Sequence, residues 1–110
     1  MIKIAPSLLS ADFANMGEAT RKLGEWNADL VHFDVMDGTF VPTITFGPAM
    51  CAAIRPYTEL PIDVHIMVEH PETYIDQFAK AGADILVSGS SVFKASDPKD
   101  MIARMHGVEN

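Results

Sequence analysis

The chain has little cysteine and little positive charge. The first shortage excludes an internal disulfide, and the second argues against certain classes of binding partner. Cys51 is the only cysteine among 110 residues, so no disulfide can form within the chain. Eight lysines and arginines stand against fifteen aspartates and glutamates, a net charge of -7 at pH 7, and no basic stripe offsets it. This balance argues against nucleic acid and against an anionic membrane surface as partners.

Long hydrophobic runs are also missing. No segment approaches the roughly 18 apolar residues of a membrane span, and the start MIKIAPSLLSADF lacks the core and flanks of a signal peptide. We therefore expect a cytoplasmic protein. Hydrophobic residues still make up 48% and charged residues 21%, a globular composition, and the length predicts a single domain over residues 1–110.

Apolar runs alternate four times with helical patterns. Strands are predicted at residues 2–9, 30–36, 61–68 and 85–87, and helices at 14–26, 48–54, from Pro71 to just before Gly82, and from Pro98 to a fraying tail, HGVEN. Strict alternation predicts an α/β fold with a parallel sheet and right-handed crossovers. The strands are apolar enough to be buried on both faces.

The segment VHFDVMDG places a histidine and an aspartate two residues apart within an apolar strand. Side chains alternate across a strand, so His32 and Asp34 share one face, and Asp63, His65 and Met67 share a face of the next strand. Ligands of parallel α/β sheets bind at the carboxyl ends of the strands.

Two imidazoles and a carboxylate are a common ligand set for a divalent transition metal. His32, Asp34 and His65 are therefore predicted to hold a metal for proton chemistry. The alternative is that each histidine is a hydrogen-bonded core residue with Asp34 as a partner. The cluster favours the metal, because an unpaired carboxylate inside a sheet is costly and a metal removes much of that cost.

Other polar and small residues follow the strands. Ser7 either contacts a ligand or closes a turn, and Met36 and Met67 either line a site or fill the core. Gly89 and Ser90 follow the last strand, where small residues let backbone N–H groups approach a phosphate.

The stretches APSLLSADF, VHFDVMDGTFVPTITFGP, LPIDVHIMVEHPETYI and FAKAGAD closely resemble the ribulose-phosphate 3-epimerase family. The resemblance implies a (β/α)8 TIM barrel that interconverts ribulose 5-phosphate and xylulose 5-phosphate at C3. It also implies a divalent metal, with zinc, iron, manganese and cobalt all open, held by two histidines and two aspartates that stabilise an enediolate.

The same resemblance assigns roles to individual residues. His32, Asp34 and His65 match three metal ligands, and Asp34 also matches one of two acid–base groups. Ser7 and His65 match substrate contacts, Met36 and Met67 match residues that line the reacting centre, and Gly89 and Ser90 match a phosphate site.

The chain also departs from the family pattern. Such barrels need about 200 to 250 residues, and after KAGADI the text resembles the eighth unit, as if units one, two, three and eight were joined across an internal deletion. The segment with the second catalytic aspartate and the glycine-rich phosphate loop are missing. The prediction is a (βα)4 half-barrel.

Open sheet edges invite pairing, so two copies are expected to associate about a two-fold axis, with Asp34 of the second copy replacing the missing carboxylate. Three functions stay open: a dimeric metal-dependent epimerase of reduced activity, an inactive half-barrel that still binds metal or phosphate, and a module that pairs with a full-length epimerase.

Overall fold

A parallel sheet of three strands organises the chain. The computed structural model describes residues 1–39 and 41–106. Of the predicted fraying tail at residues 106–110, His106 is instead the last residue of a helix, and residues 107–110 lie outside the described part. Strands β1 (Val31–Met36), β2 (Ile62–Met67) and β3 (Ile85–Val87) lie in the order β1-β2-β3. The helices are α1 (Met16–Glu25), α2 (Pro48–Ile54), α3 (Ile75–Lys80), α4 (Ser90–Phe93) and α5 (Pro98–His106). None of the described helices is long and apolar enough to cross a membrane.

The predicted strand at residues 2–9 is wrong. Ile4 and Pro6 lie beside β1 and accept hydrogen bonds from backbone N–H groups at its start, but only Ser7 forms a bridge, with His32. Pro6 has no N–H to donate to a ladder. Ser7 is the last extended residue, because its hydroxyl accepts a hydrogen bond from the Leu9 N–H and caps a short 3-10 turn, Leu8–Ser10.

Burial alternates along the strands, so the expectation of two buried faces is also wrong. Helices cover one face, where Val31, Phe33, Ile62 and Val64 are fully buried. The opposite face, which we call the inner face, carries partly exposed residues in β2 and exposed Ile85 and Val87 in β3. Within the described residues, the packed core therefore lies on the helix-covered face.

Arg55 ties the turn after α2 to the edge of the sheet. Its Nη2 donates to the carbonyls of Thr58 (2.8 Å) and Leu60 (2.7 Å), while its Nη1 donates to the Gly82 carbonyl (3.0 Å) and to Asp84 Oδ2 (2.9 Å). The stem of Arg55 also fills the space where a side chain at residue 82 would lie, and Gly82 has a φ of 100°. Glycine is therefore required there on two grounds.

Replacing Arg55 with lysine is expected to lower the free energy of unfolding by about 1–3 kcal/mol. A lysine ammonium cannot reproduce the forked hydrogen bonds of the guanidinium, and it leaves partly buried carbonyls unpaired. Urea denaturation followed by circular dichroism measures the loss. The control is Arg21→Lys, since Arg21 pairs with Glu18 and Glu25 on the exposed surface of α1. An R55K midpoint equal to that of R21K would contradict the role of the fork.

Cys51 is fully buried in the core. Burial raises the pKa of its thiol to about 11, with Asp84 contributing in the same direction and Arg55 opposing it. Its reaction with a disulfide reagent at pH 8 is expected to be at least about a hundredfold slower than that of an unperturbed thiol. Rapid labelling of the native chain, at the rate seen in urea, would show that the core around Cys51 opens readily.

Candidate metal centre

The pairing of β1 with β2 gathers four polar side chains on the inner face. In the parallel register, His32 lies opposite Asp63 and Asp34 lies opposite His65. Paired residues of adjacent strands point to the same side of a sheet. Two histidines and two aspartates therefore form one cluster, which we call the His/Asp cluster.

Asp34 stands at the centre of this cluster. Its Oδ1 lies 3.0 Å from His32 Nε2 and 3.3 Å from His65 Nδ1, and its Oδ2 accepts a hydrogen bond of 2.9 Å from the Ser7 hydroxyl. The Asp34 residue is only 9% exposed. A buried carboxylate with three polar neighbours is well positioned to bind a cation or to carry a proton.

Ligand atoms of His32, Asp34 and His65 all lie within 4.8 Å of one another. A compact set of two imidazole nitrogens and one carboxylate oxygen suits a transition metal and leaves coordination positions free for water or substrate. His32 Nδ1 lies 3.0 Å from Asp63 Oδ2 and Nε2 lies 3.0 Å from Asp34 Oδ1, so Nε2 is the ring nitrogen that faces the other two candidate ligands. The residues present therefore fit a divalent metal.

The protonation of His32 depends on the same carboxylates. Burial alone works against a charged imidazole, but the hydrogen bond to Asp63 and the proximity of Asp34 outweigh it, so the pKa of His32 is raised. A metal bound to this ring would compete with the proton for a ring nitrogen. Metal affinity is therefore expected to increase with pH.

Loop residues hold the end of β1 in place. The Thr45 hydroxyl donates to the Asp34 carbonyl and accepts from the Met36 N–H, each at 3.0 Å. Asp37 accepts a 3.1 Å hydrogen bond from the Glu69 N–H and another from the Thr39 N–H, and these bonds lower its pKa. The loops after β1 and β2 are thereby joined beside the cluster.

A cavity of about 440 Å³ opens at the carboxyl ends of β2 and β3. His65 and Met67 line it from the strand, while Gly89 and Lys94 line it from the segment that follows β3. Met36 is paired in register with Met67. Ser90 is the first residue of α4, directly after Gly89. The structure thus places the candidate phosphate residue Gly89 in the same cavity as the candidate ligand His65.

Three residues of this region receive no role from the sequence: Asp63, Thr45 and Lys94. Alternation places Asp63 on the same face as His65, but the contact of Asp63 with His32 depends on the register between strands. Thr45 lies in a loop without periodicity, and Lys94 follows a helix of only four residues, α4. A threonine nine residues after Met36 gives no recognisable signal.

The structure is that of an α/β protein with a candidate metal centre, the His/Asp cluster, on the inner face of a parallel sheet. The chain matches the model of the ribulose-phosphate 3 epimerase family over residues 3–107. It therefore belongs to the ribulose-phosphate 3-epimerase family, as the sequence motifs indicated.

Several proteins named ribulose-phosphate 3-epimerase are closely similar to this chain in sequence. The chain is 59% identical over 86 residues to ribulose-phosphate 3-epimerase of Bacillus subtilis, covering 78% of this chain and 40% of that protein. It is 49% identical over 108 residues to ribulose-phosphate 3-epimerase 1 of Cupriavidus necator, covering 98% and 45%. For the Synechocystis sp. enzyme the identity is 55% over 85 residues, covering 77% and 37%. The chain spans less than half the length of these relatives.

Proposed function

We propose that this chain carries one half of an epimerase site, in which His32, Asp34 and His65 hold a divalent metal and Asp34 moves the C3 proton of a pentulose 5-phosphate. The observation that carries the proposal is the mutual approach of these three side chains within 4.8 Å on the inner face. Zinc, iron, manganese and cobalt all accept this ligand set. Family membership supports the choice of ribulose 5-phosphate and xylulose 5-phosphate as substrate and product.

A metal bound to these ligands supplies Lewis-acid polarisation of the substrate carbonyl, which makes the neighbouring C–H more acidic. The chain itself supplies the base. Asp34 Oδ2 is held by the neutral Ser7 hydroxyl at 2.9 Å, while both histidines lie against the other oxygen, Oδ1. A carboxylate in this setting can accept a proton and return it.

Inversion at C3 needs a second acid–base group on the opposite side of the substrate. The strand residues of the inner face contain two carboxylates, Asp34 and Asp63, and Asp63 is bound to His32. Within one copy, a single carboxylate of these strands is therefore positioned for proton transfer. We propose that Asp34 of a second copy provides the other, in a two-fold assembly of two half-barrels.

The open edge of the sheet supports this assembly. β3 pairs only with β2 among the described strands, and its inner-face residues Ile85 and Val87 are 40% and 37% exposed. A two-fold axis along the barrel axis would keep all strands parallel and set β3 of one copy beside residues 4–7 of the other. Both seams would then bury apolar surface and pair free backbone groups.

Proton exchange in D₂O tests the chemistry. NMR of ribulose 5-phosphate incubated with the zinc-loaded chain separates deuterium incorporation at C3 from formation of xylulose 5-phosphate. Epimerisation with exchange supports a complete two-base site, and exchange without inversion supports Asp34 acting alone. Absence of both would contradict the catalytic proposal and favour the inactive half-barrel.

Sedimentation equilibrium at micromolar concentration tests the assembly. The wild-type chain and Ile44→Lys are expected to be dimeric, because Ile44 is exposed in the loop after β1 and not at the sheet edge. Ile85→Lys would place a charge on the proposed seam and is expected to give monomers. A folded wild-type monomer would overturn the two-copy site. A complex formed only with a full-length epimerase would instead favour a module that pairs with that enzyme.

The cavity beside His65 supports binding of the substrate phosphate. Gly89 presents backbone without a side chain, and Lys94 brings a positive charge to a chain of net charge -7. We propose that Gly89, Ser90 and Lys94 bind the phosphate. Phosphate competition against the exchange reaction, weakened in Lys94→Gln but not in Lys99→Gln, is the outcome that would support this assignment.

A further inference from the structure

We infer that Asp63 is a positioning residue of the metal centre: it fixes the tautomer and ring orientation of His32 so that Nε2 faces the metal. The inference rests on the metal site proposed above. It concerns a residue that lies outside the three-ligand set, since Asp63 contacts His32 and not the centre of the cluster.

The contact between Asp63 and His32 is direct and sheltered. Asp63 Oδ2 lies 3.0 Å from His32 Nδ1, and the side chains are 16% and 22% exposed. The parallel pairing of β1 with β2 sets the two residues opposite each other, so the strand register fixes their contact. A carboxylate accepts the Nδ1–H proton, which leaves the lone pair of Nε2 free for a metal.

A purely structural role explains Asp63 poorly. Its other oxygen, Oδ1, is buried and has no hydrogen-bond partner among the residues that the structure describes. A buried, half-satisfied carboxylate costs stability and is better replaced by an apolar residue where packing alone matters. Among the residues that the structure describes, the polar contact of the Asp63 side chain is with the histidine nitrogen that does not face Asp34, which points to control of the ring.

Both ring nitrogens of His32 face carboxylates, and this makes the role of Asp63 necessary. Nε2 lies 3.0 Å from Asp34 Oδ1, so without Asp63 a neutral ring would keep its proton on Nε2 as a donor to Asp34. That tautomer offers no lone pair to a metal at Nε2. Asp63 competes for the proton and shifts it to Nδ1.

Zinc titrations with a chromophoric competitor at pH 7.5 test the inference on the wild-type chain, Asp63→Ala, Asp63→Asn and Asp76→Asn. Zinc affinity is expected to fall about 10- to 100-fold in D63A. A smaller fall is expected in D63N, because its side-chain carbonyl can still accept the proton. D76N removes a charge from the exposed first turn of α3 and is expected to bind zinc like the wild type.

Nitrogen-15 NMR of the histidine rings supplies a readout that loss of packing would not produce. In the zinc-loaded wild type, His32 is expected to ligate through Nε2 with a protected Nδ1–H, and D63A is expected to lose that protection. Equal zinc affinity in all four proteins, or ligation of zinc through His32 Nδ1, would overturn the role of Asp63 but would leave the proposed metal site standing. A wild-type chain that binds no zinc would remove the metal centre and this inference together.

Discussion

Asparagine at position 34 is expected to abolish the proposed chemistry while leaving the chain folded. The amide would match the shape of the aspartate side chain but would carry no charge for the cation and no basic oxygen for the proton. Loss of a ligand should weaken zinc binding by about a hundredfold or more, since even outer contacts cost 10- to 100-fold. Deuterium exchange at C3 should slow by about 10² to 10⁴.

The structure explains why one substitution has two effects. Asp34 Oδ1 is shared between His32 and His65, and Oδ2 is held by Ser7, so a single carboxylate contacts both histidines and the serine at once. Asp76→Asn is the charge-matched control. Exchange and zinc binding that persist unchanged in D34N would exclude Asp34 both as a ligand and as the base.

Alanine at position 33 is expected to produce the largest loss of stability. Phe33 is completely buried on the helix-covered face, with ring centroids 4.3 Å from Phe46 and 6.4 Å from Phe78. Removal of such a ring costs about 3–5 kcal/mol, and a small domain has only about 5–15 kcal/mol in total. Much of the native population should be lost at 37 °C.

Urea denaturation of F33A against Phe93→Ala measures this effect. Phe93 is 86% exposed at the end of α4, so its removal should change the free energy of unfolding by less than about 0.5 kcal/mol. Similar urea midpoints for F33A and F93A would mean that the packing of Phe33 against Phe46 and Phe78 is not the core of the fold.

Local patterns in the sequence predict most of the fold. Periodicity and proline positions locate three strands and the main helices within a few residues, because burial against one sheet face sets a repeat that the residues display. The strand at residues 2–9 fails, since apolar content there is outweighed by the proline at position 6 and the capping hydroxyl of Ser7. Local side-chain hydrogen bonds compete with a ladder and are invisible to hydrophobic periodicity.

The candidate site is predictable in part for a similar reason. Alternation along each strand is a property of the sequence, and it groups His32 with Asp34 and Asp63 with His65. It does not say which residue faces which across the strands, so the contact between His32 and Asp63 needs the register. Lys94 lines the cavity from the segment after β3, whose path no repeat in the sequence encodes.

The register between β1 and β2 also links the centre to folding itself. All four members of the His/Asp cluster come from one pairing, in which each histidine lies opposite an aspartate. A slip of β2 by one residue would turn Asp63 and His65 toward the helix-covered face and separate them from His32 and Asp34. A ligand that binds only the correct pairing stabilises it by mass action, by about 2.7 kcal/mol at a hundred times its Kd. A metal bound at the proposed centre would thus favour the correct alignment of β1 and β2 over misaligned and unfolded species.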